Sequence, residues 1–251
     1  MTRSWRTALP RGRTRAAGRE QASRERRPPM WLVAMLVLLA ACDSLPGKPT
    51  EADRPLRPAE VTDFATLYGQ NCSGCHGADG LMGGARPLND PLYLALAGRE
   101  RLVQLTAAGV PGTTMPGFAP QAGGMLTDHQ IGLIVDGMIA TWGNPGAFRN
   151  MTLPAYAADG AGNAEAGAAA FARYCASCHG ADGSGGEKGG SVVAGAYLGL
   201  VSDQALRSAV ICGRIDLGMP NWSGYGPGQK MSEQEIGDVV AWLTAQRPKF
   251  P

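Results

Sequence analysis

The nine residues CSGCHGADG, Cys72 to Gly80, return as CASCHGADG, Cys175 to Gly183, 103 positions further along the chain. Each copy sets two thiols three positions apart, with an imidazole directly behind the second. On one helical turn such a pair can bond covalently to the two vinyl groups of a porphyrin, and the next residue then points its imidazole at the iron. Both copies fit: Cys72, Cys75 and His76, then Cys175, Cys178 and His179. Four thiols sharing one zinc ion would leave both histidines unexplained, and zinc-binding pairs usually lie closer in sequence. A redox disulfide of this spacing belongs beside a βαβ pattern, which neither copy has. Two covalently bound haem c groups are therefore the expected cofactors.

The sixth iron ligand of each copy must come from elsewhere. Met115 lies 39 residues after His76, and Met219 lies 40 after His179. Both precede proline in loops rich in Gly and Pro, Gly112-Thr113-Thr114-Met115-Pro116 and Gly218-Met219-Pro220. Most methionines only fill cores, but recurrence at matched positions favours thioether ligation by Met115 and Met219. Met125 and Met231 are the reserve candidates, each just before a closing helix. His129 has no counterpart, since Gln234 replaces it, and reads as a solvated helix-start residue. Cys212 is left over, opposite Ala108, and reads as a buried inert thiol.

The repeat extends well beyond these residues. Tyr93-Leu94-Ala95-Leu96 matches Tyr197-Leu198-Gly199-Leu200, and Thr127 to Ile131 matches Ser232 to Ile236, with offsets drifting from 103 to 105. One long period present twice means tandem domains, because a solenoid needs about three repeats. The modules are placed at 61–143 and 163–248, joined by a linker at 144–162 rich in Gly, Pro and Ala. Each reads as helical. Thr127-x-x-Gln130 and Ser232-x-x-Glu235 are capping boxes that open closing helices. Ile236, Val239, Val240 and Leu243 form one apolar stripe. Helices are also expected before each cysteine pair, from Val61 and Ala164, and a middle helix should end at Gly109 and at Gly213. No run alternates long enough to make a strand, so the fold class is all-α. Modules this small gain from a cofactor that holds the core together.

The formal charge of +2 hides an uneven distribution. Residues 1–41 hold nine Arg and two Glu; the remaining 14 basic and 19 acidic residues give −5. That mildly acidic body carries no footprint for nucleic acid. The Arg-rich start precedes an apolar run, Met30 to Ala41, too short to span a bilayer. Residues 1–41 therefore read as an export signal. Its end, Leu39-Ala40-Ala41-Cys42, resembles the lipobox of bacterial lipoproteins, which implies lipidation of Cys42 and stable membrane attachment. Residues 42–60, with Pro46, Pro49, Pro55 and Pro58, read as a stiff tether.

Each module resembles a class I cytochrome c, and the pair resembles the bacterial di-haem cytochromes c. The resemblance implies a helix before Cys-x-x-Cys-His, a loop supplying the distal methionine, and a C-terminal helix crossing the first. It implies Phe118 and Trp222 packed beside haem. It also implies a proline carbonyl holding the Nδ1–H of the proximal histidine; Pro87 fits in the first module, whereas the second has Gly189-Gly190-Ser191 there. His/Met ligation leaves no open position at iron, so the expected function is electron transfer without enzymatic turnover. The chain is expected on the periplasmic side of a bacterial membrane, lipid-anchored at Cys42, passing single electrons between respiratory redox proteins. A haem subunit of a larger oxidase or dehydrogenase is the alternative. A di-haem peroxidase would need one releasable sixth position, against which the matched methionines argue.

Overall fold

The computed structural model describes residues 28–41, 47–224 and 230–248. The chain divides into two units, residues 1–55 and 56–251. In the first lies helix α1, Met30–Ala41. A 3-10 turn, Glu51–Asp53, follows, where the Thr50 N–H and hydroxyl donate to the Asp53 carboxylate at 2.8 and 2.7 Å. Among the described residues no helix is long and apolar enough to cross a membrane. Cys42 lies outside the described residues.

The second unit repeats one helical order twice. The first copy contains α2 (Phe64–Asn71), α3 (Ser73–His76), α4 (Pro91–Ala108) and α5 (Asp128–Trp142). The second contains α6 (Ala164–Tyr174), α7 (Ala176–His179), α8 (Gly195–Leu200), α9 (Asp203–Cys212) and α10 (Glu233–Ala245). Among the described residues there is no strand, only an isolated antiparallel bridge between Arg214 and Met219. The fold is all-α, as the sequence predicts.

Local chemistry explains the helix ends. The Asp63 and Asn163 side chains accept the N–H groups of Thr66 and Ala166, which starts α2 three residues later than Val61 and starts α6 at Ala164. Both predicted capping boxes form, at Thr127/Gln130 and Ser232/Glu235. Gly109 and Gly213 close α4 and α9. The middle segment bends in both copies: α4 kinks at Gly98 (φ 71°), and the second copy breaks into α8 and α9.

First and last helices pack in each module. Trp142 of α5 meets Tyr68 and Phe64 of α2 edge-on, with ring centroids 5.0 and 5.8 Å apart. Trp242 of α10 lies 4.2 Å from Phe171 of α6. Leu67, Ile131, Ile134, Phe171, Ile211 and Ile236 are wholly buried, each contributing about 1.5–3 kcal/mol of apolar burial.

Both connecting segments are tied down. Buried Gln130 donates through Nε2 to the carbonyls of Pro58 and Val61 at 2.8 and 3.0 Å, so the tether's last proline is fastened to the first module. In the linker, the Arg207 guanidinium donates to the carbonyls of Ala155 and Tyr156 and pairs with Glu233. Tyr156 also lies beneath Arg101 of α4, 5.8 Å from ring centroid to guanidinium carbon.

Candidate functional site

In each copy one backbone frame delivers three side chains together. The helix before the motif ends on its first cysteine, and Cys72 and Cys175 cap the one-turn helices α3 and α7. Those turns carry Cys75 with His76, and Cys178 with His179. The following glycines leave the turns at φ 85° (Gly77) and 80° (Gly180). There the chain doubles back so closely that a Cβ on Gly180 would lie 2.5 Å from the Gly185 carbonyl oxygen. The repeated His-Gly therefore has a steric cause.

The imidazoles are oriented from behind by backbone. His76 Nδ1 donates to the Arg86 carbonyl at 2.7 Å, and His179 Nδ1 to the Gly190 carbonyl at 2.8 Å. The predicted acceptor, Pro87, is thus off by one residue. A residue before proline is biased toward extended backbone, and it is the carbonyl of that residue, Arg86, that accepts. The second module has the same contact without a proline, so the doubt raised by Gly189-Gly190-Ser191 falls away. Burial holds His76 below its ordinary pKa. Its neutral ring with a committed Nδ1–H leaves the Nε2 lone pair as the free ligand.

The two methionine loops are held by matched means. Val110 N–H donates to the Met115 carbonyl at 3.1 Å, and Met115 N–H to the Thr113 hydroxyl at 3.2 Å. In the second module Arg214 and Met219 exchange both backbone hydrogen bonds, at 3.2 and 3.0 Å.

All eight predicted site residues, both cysteine pairs, both histidines, Met115 and Met219, line one continuous cavity of about 1180 Å³. A pocket for one drug-sized ligand is roughly 300–1,000 Å³, so this volume is generous for a single occupant. Its wall is largely apolar, with Tyr93, Leu102, Phe118, Leu206 and Val210 among the lining. Arg86, Lys188 and Arg214 line it too, and among the described residues no carboxylate does. The buried Arg86 Nε has no hydrogen-bond partner. An apolar slot with sulfur and imidazole on its walls, cationic and bearing an orphan donor, fits a porphyrin whose carboxylate arms need counter-charges.

Other expectations separate cleanly. Met125 is 88% exposed and Met231 sits in the core at 1%, so neither reserve methionine reaches the cavity. His129 is exposed. Phe118 lines the cavity as expected, but Trp222 does not: it is buried in the core beneath Lys230. Cys212 is fully buried. Among the described residues no group of three or more His, Cys, Asp or Glu is placed to hold a metal ion on its own. Burial pushes the Cys72 and Cys175 thiols up to about 11. No motif or spacing marks Arg86 and Arg214, whose place depends on how the two modules meet.

The family described as cytochrome c oxidase, cbb3-type, subunit III matches the chain twice, over residues 59–136 and 162–243. Cytochrome c55X of Paracoccus denitrificans is 32% identical over 111 residues, 43% of this chain and 94% of that protein. A chain of the reducing HAO-like protein complex of Kuenenia stuttgartiensis aligns over 77% of this chain and 100% of its own length, at 16% identity and a TM-score of 0.44. With both modules carrying the Cys-x-x-Cys-His turn inside the matched segments, the chain belongs to the cbb3-type cytochrome c oxidase subunit III family and is an electron-transfer c-type cytochrome of two tandem class I modules.

Proposed function

We propose that this chain is a membrane-tethered carrier of single electrons between respiratory redox proteins on the periplasmic side of a bacterial membrane. It would hold two covalently attached haem c groups. Cys72 and Cys75 would attach the first group, and His76 and Met115 would ligate its iron. Cys175, Cys178, His179 and Met219 take those roles in the second. A haem with imidazole and thioether on its two faces supplies a one-electron couple of raised potential and no open site for substrate. The protein's part is to fix both imidazoles through the Arg86 and Gly190 carbonyls, to present the methionine loops, and to keep water from the apolar wall. The observation that carries the reading is the convergence of all eight side chains on one cavity.

An absorbance spectrum with haem quantitation on the exported protein tests it. The expected result is two covalent haems per chain with a thioether-to-iron charge-transfer band, and partial loss of that band in Met219→Ala. A colourless or zinc-loaded protein from a host competent in haem attachment overturns the reading. The Arg-rich start, the apolar Met30–Ala41 helix and Cys42 support lipid anchoring. Cys42→Ala should move the protein from the membrane to the soluble fraction. The matched family's description names an oxidase subunit, which favours a second reading as the haem subunit of a larger complex. Stoichiometric co-isolation with a partner in mild detergent selects that reading, and isolation alone selects the free carrier.

A further inference from the structure

We infer that Arg86 and Arg214, one from each module, form a single cationic seat at the seam of the shared cavity that receives the carboxylate arms of both haems, so that each arginine sets both reduction potentials. The inference rests on the haem assignment above and deepens it.

Both guanidinium groups are on the cavity wall, and both are fixed by aspartates that are not. Arg86 pairs with Asp90 at 3.3 Å, with the Asp90 side chain 2% exposed. Arg214 pairs with Asp216 through two hydrogen bonds of 2.9 and 2.7 Å, with that side chain 1% exposed. The arginines are thereby pre-organised, and less rotamer freedom is lost when an anion binds. Arg86 also stacks on Tyr93 at 4.3 Å, and its Nε is a buried donor without an acceptor. A native protein rarely leaves such a donor unmade, and a carboxylate is its strongest complement.

Both groups line the one cavity that receives the Cys-x-x-Cys-His turns of the two modules. Arg86 belongs to the first module, yet its charge lowers the Cys212 thiol of the second, against the larger raising effect of burial. Burial raises the Tyr197 phenol, which lines the cavity, and the charges of Arg214 and Arg86 both lower it. Asp216 of the second module is held as a carboxylate by Arg214. A fixed positive charge in a low-dielectric cavity disfavours the more positive ferric state at every iron it reaches. With the two haem sites opening into the same space, one arginine reaches both.

The test is potentiometric titration of the matured full-length chain, with haem content measured beside it. R86Q and R214Q should each shift both redox waves toward lower potential, by about tenfold in the reduction equilibrium, equivalent to about 59 mV for one electron. R99Q, whose Asp136 partner is at the surface, should leave both waves in place. Should a glutamine variant fail to mature, R86K and R214K carry the test: the charge remains but the planar fork is lost, and both waves should fall together by about threefold. Movement of one wave alone, or of neither, in any variant holding two haems overturns the shared seat. Absence of covalent haem from the wild type overturns the assignment beneath it instead.

Discussion

Gly109 closes α4 at φ 74° directly against the methionine loop, where a Cβ would lie 2.8 Å from the Met115 carbonyl oxygen and 2.5 Å from the Gly117 nitrogen. Gly213 stands the same way, at φ 72°, against Met219 and Pro220. One residue thus ends the middle helix and seats the loop that carries the candidate ligand. Gly213→Ala forces a backbone conformation costing about 1–3 kcal/mol and pushes the Met219 loop away. The expected outcome is a lower melting temperature and loss of the thioether-to-iron band from one haem of two. Gly109→Ala should do the same to the other. An unchanged spectrum in both variants would show that the loops are positioned otherwise.

The repeat made much of this legible. Cysteine pairs, histidines, methionine loops and capping boxes are side-chain features at fixed spacing, and sequence displays them directly. The histidine acceptors are backbone carbonyls, which any residue supplies; hence Pro87 was the natural reading although the Arg86 carbonyl does the work. In the second module the position falls within Gly189-Gly190-Ser191, and no side chain there marks Gly190 as the acceptor. Phe118 and Trp222 both lie three residues past a methionine, yet Phe118 lines the cavity and Trp222 is buried in the core; that difference is one of side-chain packing, which spacing does not display. The shared cavity was beyond sequence because it exists only where two modules meet.

Two neighbouring glycines of the second module should respond to alanine with opposite signs. A Cβ on Gly190 meets nothing within 4 Å, and its φ is not in the left-handed region. Its carbonyl remains available to His179 after substitution. Gly190→Ala should therefore raise stability by about 0.4–1 kcal/mol through a less free unfolded chain. A Cβ on Gly189 would sit 2.8 Å from both Nδ1 and Cε1 of the His179 ring. Gly189→Ala should tilt that imidazole and lower both stability and haem retention in the second module. Denaturant unfolding with haem quantitation separates the two; destabilisation by Gly190→Ala would contradict the open site.

The linker's hold on the second module centres on Arg207, whose side chain is 3% exposed. Its guanidinium satisfies the Ala155 and Tyr156 carbonyls, while Gln204 reaches the Tyr156 carbonyl as well, at 2.7 Å. Arg207→Leu keeps much of the packing but removes those donors, costing roughly 3 kcal/mol. Limited proteolysis should then cut within residues 144–162 well before either module is degraded. Cleavage at the wild-type rate would mean that the linker is held by its apolar contacts alone.

Cys212 combines full burial with a thiol pushed up to about 12, above the ordinary 9.0, chiefly by burial and against the lowering effect of Arg86. A raised folded-state value means that native stability is complete below the unfolded pKa and falls as pH climbs toward 12. At pH 8 the thiolate fraction is roughly one in ten thousand. An aromatic disulfide reagent should therefore miss Cys212 in the native haem-loaded protein at pH 8. Unfolding in guanidinium should release one further thiol equivalent, and Cys212→Ala should lack that increment. Rapid native labelling that disappears in Cys212→Ala would show that the seam between the modules opens far more readily than its packing implies.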